Sequence, residues 1–372
     1  MVRVSHQIGL ARSSTFATLA GVPPRPTVSD VARKAGVSRT TVSHALSGKG
    51  RVDARTRSHV QQVAAELGYV PNRAARNLAL GRSDAVGLLL PQLAHLPLDE
   101  LLRSDYYGRL AVTASQEALR HQRALSILPS LRDPVELASF GLDGVIVLDP
   151  MAQDPRWHLL QSTSARIVLI GQDPAGLMGP SVVPDVVQGM SLLLEHLADR
   201  GARSFGLIAP DIPWASTSVA LEETKRWCGQ RGAQYQVGQA KVAECTTREQ
   251  AASAAQQVAV RMLRGRGRPA ALIGLLEDFG RGIVAAARSL GLSVPADVLV
   301  AQDVDGIHAQ FSDPPITAIE LNLAAQLEAA MELLFGAPAD QGPDTGTEGD
   351  VRRHMVTVPV SLAIRASTIG PT

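Results

Sequence analysis

The sequence predicts an all-α helix-turn-helix headpiece followed by a larger α/β body with two lobes. Two short helices with a glycine turn between them can be drawn over residues 27–46. From residue 84 onward, apolar strands alternate with helices. Charge also separates the two parts, because residues 25–83 carry 11 Lys and Arg against three acids, whereas the rest of the 372-residue chain carries 25 basic and 32 acidic residues. This arrangement is expected when the head alone neutralises phosphates.

The first helix is predicted from its capping pattern and its apolar spacing. Thr27 precedes the helix and Asp30 lies three residues later, an arrangement that satisfies the unpaired N–H groups of a helix start. Gly36 suits the left-handed position that ends a helix. The residues expected to face a small core recur at helical spacing and are Val28, Val31, Ala32 and Ala35.

The second helix is predicted to read DNA. Ser38 is placed to cap it, and Val42 and Leu46 are expected to face the core. The polar residues left on its outer face are Arg39, Thr40, Ser43 and His44. An Arg near the start of a helix in the major groove can make two hydrogen bonds to guanine, worth about 1–3 kcal/mol of discrimination. Thr40 can contact a thymine methyl or a phosphate, and His44 lies about one turn further along.

A third helix and a hinge complete the predicted DNA-binding part. The third helix is expected from its cap, Asp53, to Leu67. Pro71 then breaks the chain, and a short helix capped by Asn72 and ending near Gly81 follows. Because so short a helix is marginal in water, we expect it to be ordered mainly when DNA or a second subunit supports it.

The body is predicted as two parallel sheets covered by helices. Strand candidates fall at 85–90, 124–128, 144–148, 166–170, 204–209, 234–237, 271–276, 298–301, 316–319 and 355–364. Helix candidates fall at 107–121, 186–200, 216–231, 249–264, 280–290 and 323–335. Two such sheets give two lobes, with a ligand cleft at the carboxyl ends of the strands.

Cysteine content, hydropathy and motifs narrow the class of protein. Cys228 and Cys245 are too few for a disulfide framework and lack a metal-binding spacing, which favours a reducing cytoplasm. No apolar run reaches membrane-spanning length, and residues 1–26 lack the apolar core of a signal peptide, so we interpret them as a disordered extension. The nine His are scattered without ligand spacing, and no Gly-x-Ser-x-Gly elbow occurs. We therefore expect no metal, no cofactor and no enzymatic activity.

Residues 27–83 resemble the DNA-binding headpiece and hinge of the LacI/GalR family of bacterial transcription regulators. The resemblance is carried by the stretches 31–38 (Val-Ala-Arg-Lys-Ala-Gly-Val-Ser), 41–43 (Thr-Val-Ser), 56–57 (Thr-Arg), 67–75 (Leu-Gly-Tyr-Val-Pro-Asn-Arg-Ala-Ala) and 78–79 (Leu-Ala). It implies that Arg39, Thr40 and His44 read bases in the major groove. It also implies that Leu78 wedges between base pairs in the minor groove and kinks the DNA. The full set of expected DNA contacts is Thr27, Ser38, Arg39, Thr40, Thr41, Ser43, His44, Asn72, Arg73, Leu78 and Ala79.

The resemblance continues more weakly through the body, to about residue 368. Its landmarks are 142–148, 184–185, 277–278, 291–298, Asp303, 314–317 and 362–368. It implies the two-lobed fold of periplasmic sugar-binding proteins. The expected organisation is a disordered extension (1–26), a headpiece (27–70), a hinge helix and linker (71–83), and a two-lobed periplasmic-binding-protein-like domain for effector binding and dimerisation (84–368).

The resemblance also implies where an effector binds. The expected contacts are Tyr106, Tyr107, Asp185, Trp214, Asp278 and Asp303. Aromatic rings would cover the apolar face of a sugar and carboxylates would accept hydrogen bonds from its hydroxyls; the alternative is that the two Tyr pack in the core or between lobes. The family usually carries an Arg after the strand ending near Ala209, but residues 213–223 contain none, so we expect an atypical effector or a replacement residue such as Trp214.

These inferences predict a cytoplasmic transcription repressor, associated with the nucleoid through DNA and not with a membrane. A small-molecule effector, a sugar or related metabolite, would change the angle between the lobes and so the pairing of the hinge helices. A homodimer or dimer of dimers would bind a near-palindromic operator. The alternatives are a free sugar-binding protein of an uptake system and a regulator that no longer responds to a small molecule.

Overall fold

The computed structural model describes residues 26–48, 50–70, 82–91, 97–128, 131, 133–151, 154–160, 163–172, 179–336 and 355–369. The chain divides into two compact units, residues 1–81 and residues 82–372. We call residues 27–70 the headpiece and the described residues from 82 onward the body. Residues 1–25 of the predicted extension and the predicted hinge contacts lie outside the described residues; the latter are Asn72, Arg73, Leu78 and Ala79.

The headpiece consists of three helices, α1 (Val28–Ala35), α2 (Arg39–Ser47) and α3 (Ala54–Glu66). Each begins after a side chain that accepts a hydrogen bond from a backbone N–H group of the first turn, and these caps are Thr27, Ser38 and Asp53. Gly36 ends α1 with a φ of 69°, the left-handed conformation that glycine adopts at least cost. The three capping positions follow from the sequence alone.

The headpiece encloses a small apolar core of its own. Its buried side chains are Val31, Ala32, Ala35, Val42, Ala45, Val60, Val63 and Ala64. Leu46 and Leu67, which we expected inside, are only half-buried at the margin of this core. The reason is that α2 contacts both α1 and α3, so that Val42 and Ala45, three residues apart on one face, lie deepest.

The body contains two six-stranded sheets. The strands are β1 (Ala85–Leu89), β2 (Ala124–Leu128), β3 (Gly144–Leu148), β4 (Arg166–Ile170), β5 (Ser181–Pro184), β6 (Ser204–Pro210), β7 (Gln234–Ala240), β8 (Ala271–Gly274), β9 (Leu299–Gln302), β10 (Thr317–Glu320), β11 (Met355–Val358) and β12 (Ser361–Ala363). The first sheet has the order β11-β5-β4-β3-β1-β2 and is parallel throughout. The second has the order β12-β10-β9-β8-β6-β7 and is parallel except for β12, which pairs antiparallel with β10. We call each sheet with its helices a lobe.

Helices cover the sheets, as expected for parallel strands. The body helices are α4 (Leu98–Arg103), α5 (Asp105–Arg120), α6 (Pro134–Ser139), α7 (Trp157–Leu160), α8 (Val186–Asp199), α9 (Ala215–Arg231), α10 (Arg248–Arg264), α11 (Phe279–Ser289), α12 (Ile307–Gln310), α13 (Leu323–Phe335) and α14 (Ala366–Ile369). Within the described ranges, no helix is both long and apolar enough to cross a membrane.

The chain crosses between the lobes three times: after β5, after β10, and between β11 and β12. The single strand that we predicted over 355–364 is wrong, because it is divided into β11 in the first sheet and β12 in the second. Pro359 lies between them and has no N–H group with which to continue a strand ladder. Three described crossings make the lobes one compact unit while leaving a cleft between them.

Two helices of the second lobe approach each other closely, and a glycine permits this. Gly282 on α11 faces the backbone of α10, where an added methyl group would overlap the carbonyl oxygen of Ala252. Both helices carry buried apolar faces that meet in the core of this lobe. The approach therefore depends on the missing side chain, since neither backbone can move without separating packed residues.

Gly282→Ala is expected to lower the free energy of unfolding by roughly 1–3 kcal/mol, because the methyl group forces α10 and α11 apart. Urea denaturation followed by circular dichroism measures the change. Gly229→Ala is the matched control, because this glycine is exposed on α9 with open space around it, and the substitution should stabilise the protein by up to about 1 kcal/mol. Equal effects at both positions would contradict the packing argument.

Candidate DNA interface and ligand cleft

The outer face of α2 presents polar side chains on a rigidly capped helix. Arg39, Thr40 and Ser43 are exposed there. Ser38 accepts the N–H group of Thr41 at 3.0 Å, and the two hydroxyls lie 2.8 Å apart. Ser38 and Thr41 thus form the cap, while Arg39, Thr40 and Ser43 are available to a partner.

His44 occupies a more constrained position than its neighbours on α2. It is half-buried, and its ring lies against Gly50, where an added Cβ would come within 2.6 Å of Nδ1. Gly50 also has a φ of 77°, so two separate reasons favour glycine at this turn. The packing fixes the direction of the imidazole at the carboxyl-terminal half of the helix.

The remaining charges on α1 are held in pairs that brace the headpiece. Lys34 on α1 forms an ion pair with Glu66 on α3 at 2.9 Å, and Arg33 pairs with Asp30. Thr27 donates its hydroxyl hydrogen bond to Asp30 at 2.7 Å, which lowers the pKa of that carboxyl. The predicted contact Thr27 is therefore part of a capping box.

In the body, a cavity of about 430 Å³ lies between the lobes at the carboxyl ends of the strands. Both sheets contribute to it. Asp149 follows β3 in the first lobe, while Trp214, Asp278 and Asp303 follow β6, β8 and β9 in the second. Parallel strands end at one edge of a sheet, so residues far apart in the sequence meet here.

Aromatic side chains form part of the cavity wall. Tyr106 and Tyr107, at the start of α5, contact each other edge to face with ring centroids 4.8 Å apart. The Tyr107 hydroxyl donates to Asp149 Oδ2 at 2.8 Å. Burial and then the nearby Asp149 carboxyl raise the pKa of both phenols well above their usual range. The predicted aromatic pair therefore lies at the cavity, one ring buried and one partly exposed.

Trp214 reaches the cavity from the second lobe. Its backbone forms an isolated bridge with Met151 of the first lobe. Its indole Nε1–H is withdrawn from solvent and has no hydrogen-bond acceptor among the described residues. A buried indole usually finds such a partner, but this donor is left unsatisfied within the described part of the chain.

Two carboxyls at the cavity have strongly altered acidity. Burial raises the pKa of Asp303 to about 7, and its Oδ1 accepts no hydrogen bond from the described residues. Burial also raises the pKa of Asp149 to about 6, against the opposing hydrogen bond from Tyr107. At Asp149 burial outweighs both the Tyr107 hydrogen bond and the charge of Arg156, and at Asp303 no cation among the described residues opposes it.

The sequence reasoning missed Arg248, the first residue of α10. Its guanidinium donates to Asp278 Oδ2 at 2.6 and 2.8 Å and to Glu277 Oε1 at 2.9 Å. It also donates to the carbonyl oxygen of Arg103 in the first lobe at 2.7 Å. Arg248 lies after β7, whereas the family usually carries its Arg after β6, where this chain has none. An Arg directly at a helix start on the strand-end side of the sheet was the available signal.

Glu277 reinforces the connection between the lobes. It accepts the backbone N–H of Asp105 at 2.9 Å and that of Tyr106 at 3.3 Å. The start of α5 in the first lobe is thus hydrogen-bonded to a carboxylate that itself pairs with Arg248 of the second lobe. We call Arg248, Glu277 and Asp278 the interlobe triad.

Asp185 and Asp278 serve internal contacts. Asp185 accepts the N–H of Gln188 at 2.8 Å as the cap of α8, and it is not among the described residues that line the cavity. Asp278 lines the cavity but is only 2 % exposed, and it pairs with Arg248 and with Arg281 at 3.3 Å. Their predicted role as effector contacts stays a prediction.

A second buried Arg, Arg156, lies beside the cavity residue Asp149 and was also missed by the sequence reasoning. Arg156 is fully buried and pairs with Asp154, while its guanidinium donates to the carbonyl oxygens of Leu89 at 3.0 Å and Leu148 at 2.9 Å. It holds the ends of β1 and β3 beside Asp149.

Within the described residues, no group of three His, Cys, Asp or Glu could hold a metal ion.

Two separate family profiles match the sequence, one over the headpiece and one within the body. The sequence matches a profile described as bacterial regulatory proteins, lacI family, over residues 27–72, and one described as periplasmic binding protein-like domain over residues 194–368. It is 25% identical over 362 residues to the HTH-type transcriptional repressor PurR of Mannheimia succiniciproducens, covering 92% of this chain and 98% of that protein. Catabolite control protein A of Staphylococcus xylosus is 31% identical over 192 residues, 50% of this chain and 56% of its own length.

Solved structures show the same fold. A lac repressor dimer bound to operator and the anti-inducer ONPF aligns with a TM-score of 0.70 and 22% identity, covering 92% of this chain and 99% of that one. A complex of the transcriptional regulator CelR with cellobiose aligns with a TM-score of 0.63 and 21% identity, covering 92% and 100%. The predicted fold class, a helix-turn-helix headpiece with a two-lobed periplasmic-binding-protein-like body, is confirmed.

Arg248→Met is expected to lower the free energy of unfolding by about 2–3 kcal/mol, because it leaves two largely buried carboxylates without their cation. Thermal denaturation of the full chain measures this. Arg261→Met removes an exposed charge from the other end of the same helix and should have little effect. A triad variant as stable as the control would disprove the pairing.

Asp303→Asn should change how stability depends on pH. The folded-state pKa of about 7 lies above the unfolded value, so the folded wild type binds more protons in this window and loses stability as pH rises toward 7. The variant lacks this loss, and its advantage should grow by roughly 2–3 kcal/mol between about pH 5 and about pH 8. Melting curves across that range test it, and parallel curves for both proteins would refute it.

Proposed function

The chain belongs to the LacI family of bacterial regulatory proteins, and from this premise we propose that it is a transcriptional repressor controlled by a small-molecule effector. The headpiece would bind operator DNA and the cleft would bind the effector. The relatives reported above are named as transcriptional repressors and regulators, which supports a regulatory role rather than an enzymatic one.

One observation carries the DNA-binding role. Arg39, Thr40 and Ser43 project from the exposed face of a helix whose start is fixed by a side-chain cap. A capped helix loses little further entropy on entering the major groove, so its polar side chains are free to form hydrogen bonds with bases. Arg39, at the first position of the helix, is the residue suited to guanine.

The effector role rests on the cavity between the lobes. It combines aromatic walls with the carboxyl groups of Asp149 and Asp303, and among the described residues neither Asp303 Oδ1 nor the indole N–H of Trp214 has a hydrogen-bond partner. A ligand that satisfies these groups while touching both lobes changes the relative stability of their arrangements. That differential binding is the physical basis on which an effector would alter operator affinity.

We further propose that two subunits bind a near-palindromic operator, because two-fold symmetry presents two headpieces in opposite orientation. The predicted hinge residues Asn72, Arg73, Leu78 and Ala79 would contact the minor groove between half-sites, with Leu78 as the wedge. A dimer of two such dimers is the alternative assembly. A repressor of this kind acts on chromosomal DNA in the cytoplasm.

A regulator that no longer responds to a small molecule is the second candidate. The interlobe triad favours it, because Arg248 and Glu277 already join the lobes through protein atoms alone. A screen of sugars and nucleosides by thermal shift separates the two candidates. Ligand-dependent stabilisation supports the effector-controlled repressor, and its absence together with sequence-specific DNA binding supports the second candidate.

Footprinting on the DNA upstream of the gene and its neighbours tests the DNA-binding role. The wild-type protein should protect a near-palindromic site at moderate salt. Arg39→Ala should lower affinity for that site by roughly 10- to 100-fold while leaving affinity for unrelated DNA nearly unchanged.

The matched control is Arg231→Ala, which removes the same charge from an exposed ion pair on α9 of the body and should bind like wild type. No protected site for the wild type would overturn the repressor proposal. An equal loss by Arg39→Ala on operator and unrelated DNA would show that Arg39 contacts phosphates only.

A further inference from the structure

The cavity between the lobes has an unequal balance of charge. Among the described residues that line it, the only cation is Arg248. The acids that line it are Asp149, Asp211, Glu277, Asp278 and Asp303. A cavity that bound an anion would be expected to show the opposite balance.

Most of these charges are already satisfied by the protein. Arg248 is shared between Glu277 and Asp278. Asp211 accepts the backbone N–H groups of Val242 at 2.7 Å and Ala243 at 2.9 Å, which fixes the loop after β7. These contacts use the one lining cation and leave it with no spare charge for a ligand.

Asp149 and Asp303 remain without a cation of their own. Asp149 receives one hydrogen bond from the Tyr107 hydroxyl, and the nearby Arg156 is paired with Asp154. Asp303 Oδ1 is withdrawn from solvent and accepts no hydrogen bond from the described residues, while the backbone N–H of the same residue partly offsets the rise in the pKa of this carboxyl. A desolvated carboxylate without a partner is costly, and a bound cation would remove that cost.

The surrounding groups fit the same kind of ligand. Burial and then the charges of Asp149, Asp303 and Glu277 raise the pKa of the Tyr106 phenol, against the opposing charge of Arg109. An aromatic ring among carboxylates favours an organic cation, because the ring face attracts positive charge and contacts the carbon atoms beside it. The indole N–H of Trp214 has no acceptor among the described residues and almost no accessible surface, and a ligand hydroxyl would supply the acceptor once the ring turns this N–H toward the cavity.

We propose that the ligand of this cleft is a hydroxylated amine, such as an amino sugar, whose protonated nitrogen pairs with Asp303 while a hydroxyl oxygen accepts from Trp214. This inference rests on the proposed role of the cleft as the effector site. It separates the ligand from neutral sugars, which leave Asp303 without a countercharge, and from sugar phosphates, which add negative charge to an acidic cavity.

The test compares probes that share a ring and differ in charge. Glucosamine, galactosamine and mannosamine are each matched with the parent hexose, the N-acetyl sugar and the hexose 6-phosphate. Binding to the full chain is measured by calorimetry and thermal shift, below the pKa of the sugar amine. At least one amine should bind, with its neutral and anionic counterparts weaker by roughly tenfold or more.

Asp303→Asn keeps the shape of the side chain and removes its charge. It should weaken the amine by roughly tenfold or more and leave the neutral sugars unchanged. Glu222→Gln is the matched control, because it makes the same charge change at an exposed position on α9. Its amine affinity should equal that of wild type.

The inference is overturned if no amine binds at millimolar concentration, if a neutral or phosphorylated counterpart binds as tightly, or if Asp303→Asn retains full amine affinity. Operator binding by each protein is measured separately without ligand. Intact operator binding with no preference for amines removes only the ligand class, whereas loss of operator binding with amine preference intact removes only the repressor proposal.

Discussion

The arrangement of the body depends on one guanidinium. Arg248 binds Glu277 and Asp278 within its own lobe and the carbonyl oxygen of Arg103 in the other. Two carboxylates could not be held side by side in so enclosed a position without it, because their mutual repulsion and their desolvation would both oppose folding. Together with the hydrogen bonds of Asp105 and Arg109 to the second lobe, the interlobe triad holds the start of α5 and with it the aromatic wall of the cavity.

The same contacts explain why the cavity is acidic. Arg248 is the one cation among the described lining residues and is occupied, and burial keeps the pKa values of the remaining carboxyls, Asp149 and Asp303, raised. A molecule that enters must either supply positive charge or leave these groups uncompensated. The same distribution of charge thus holds the lobes together and selects the ligand. A ligand that competes for the triad would also act on the contact between the lobes.

The headpiece follows a different physical rule. Its three helices are each fixed by a local cap, and its core is small, so most of its structure is decided within a few residues of each position. On the outer face of α2, only the capping residues and His44 therefore take part in contacts that hold the headpiece together. In the body, by contrast, the residues that meet at the cavity come from strands separated by more than 100 positions.

The sequence by itself determined the helix-turn-helix, its caps and the alternation of strands and helices, because spacing and capping are local signals, whereas Tyr106 and Tyr107 were placed at the cleft only by the family resemblance. Only the tertiary structure decided that β11 and β12 belong to different sheets, that Asp185 caps a helix away from the cavity lining, and that Arg248 pairs with Glu277 and Asp278 at the cavity. Those outcomes depend on which strand ends meet across the cleft, and neither periodicity nor composition encodes that distance.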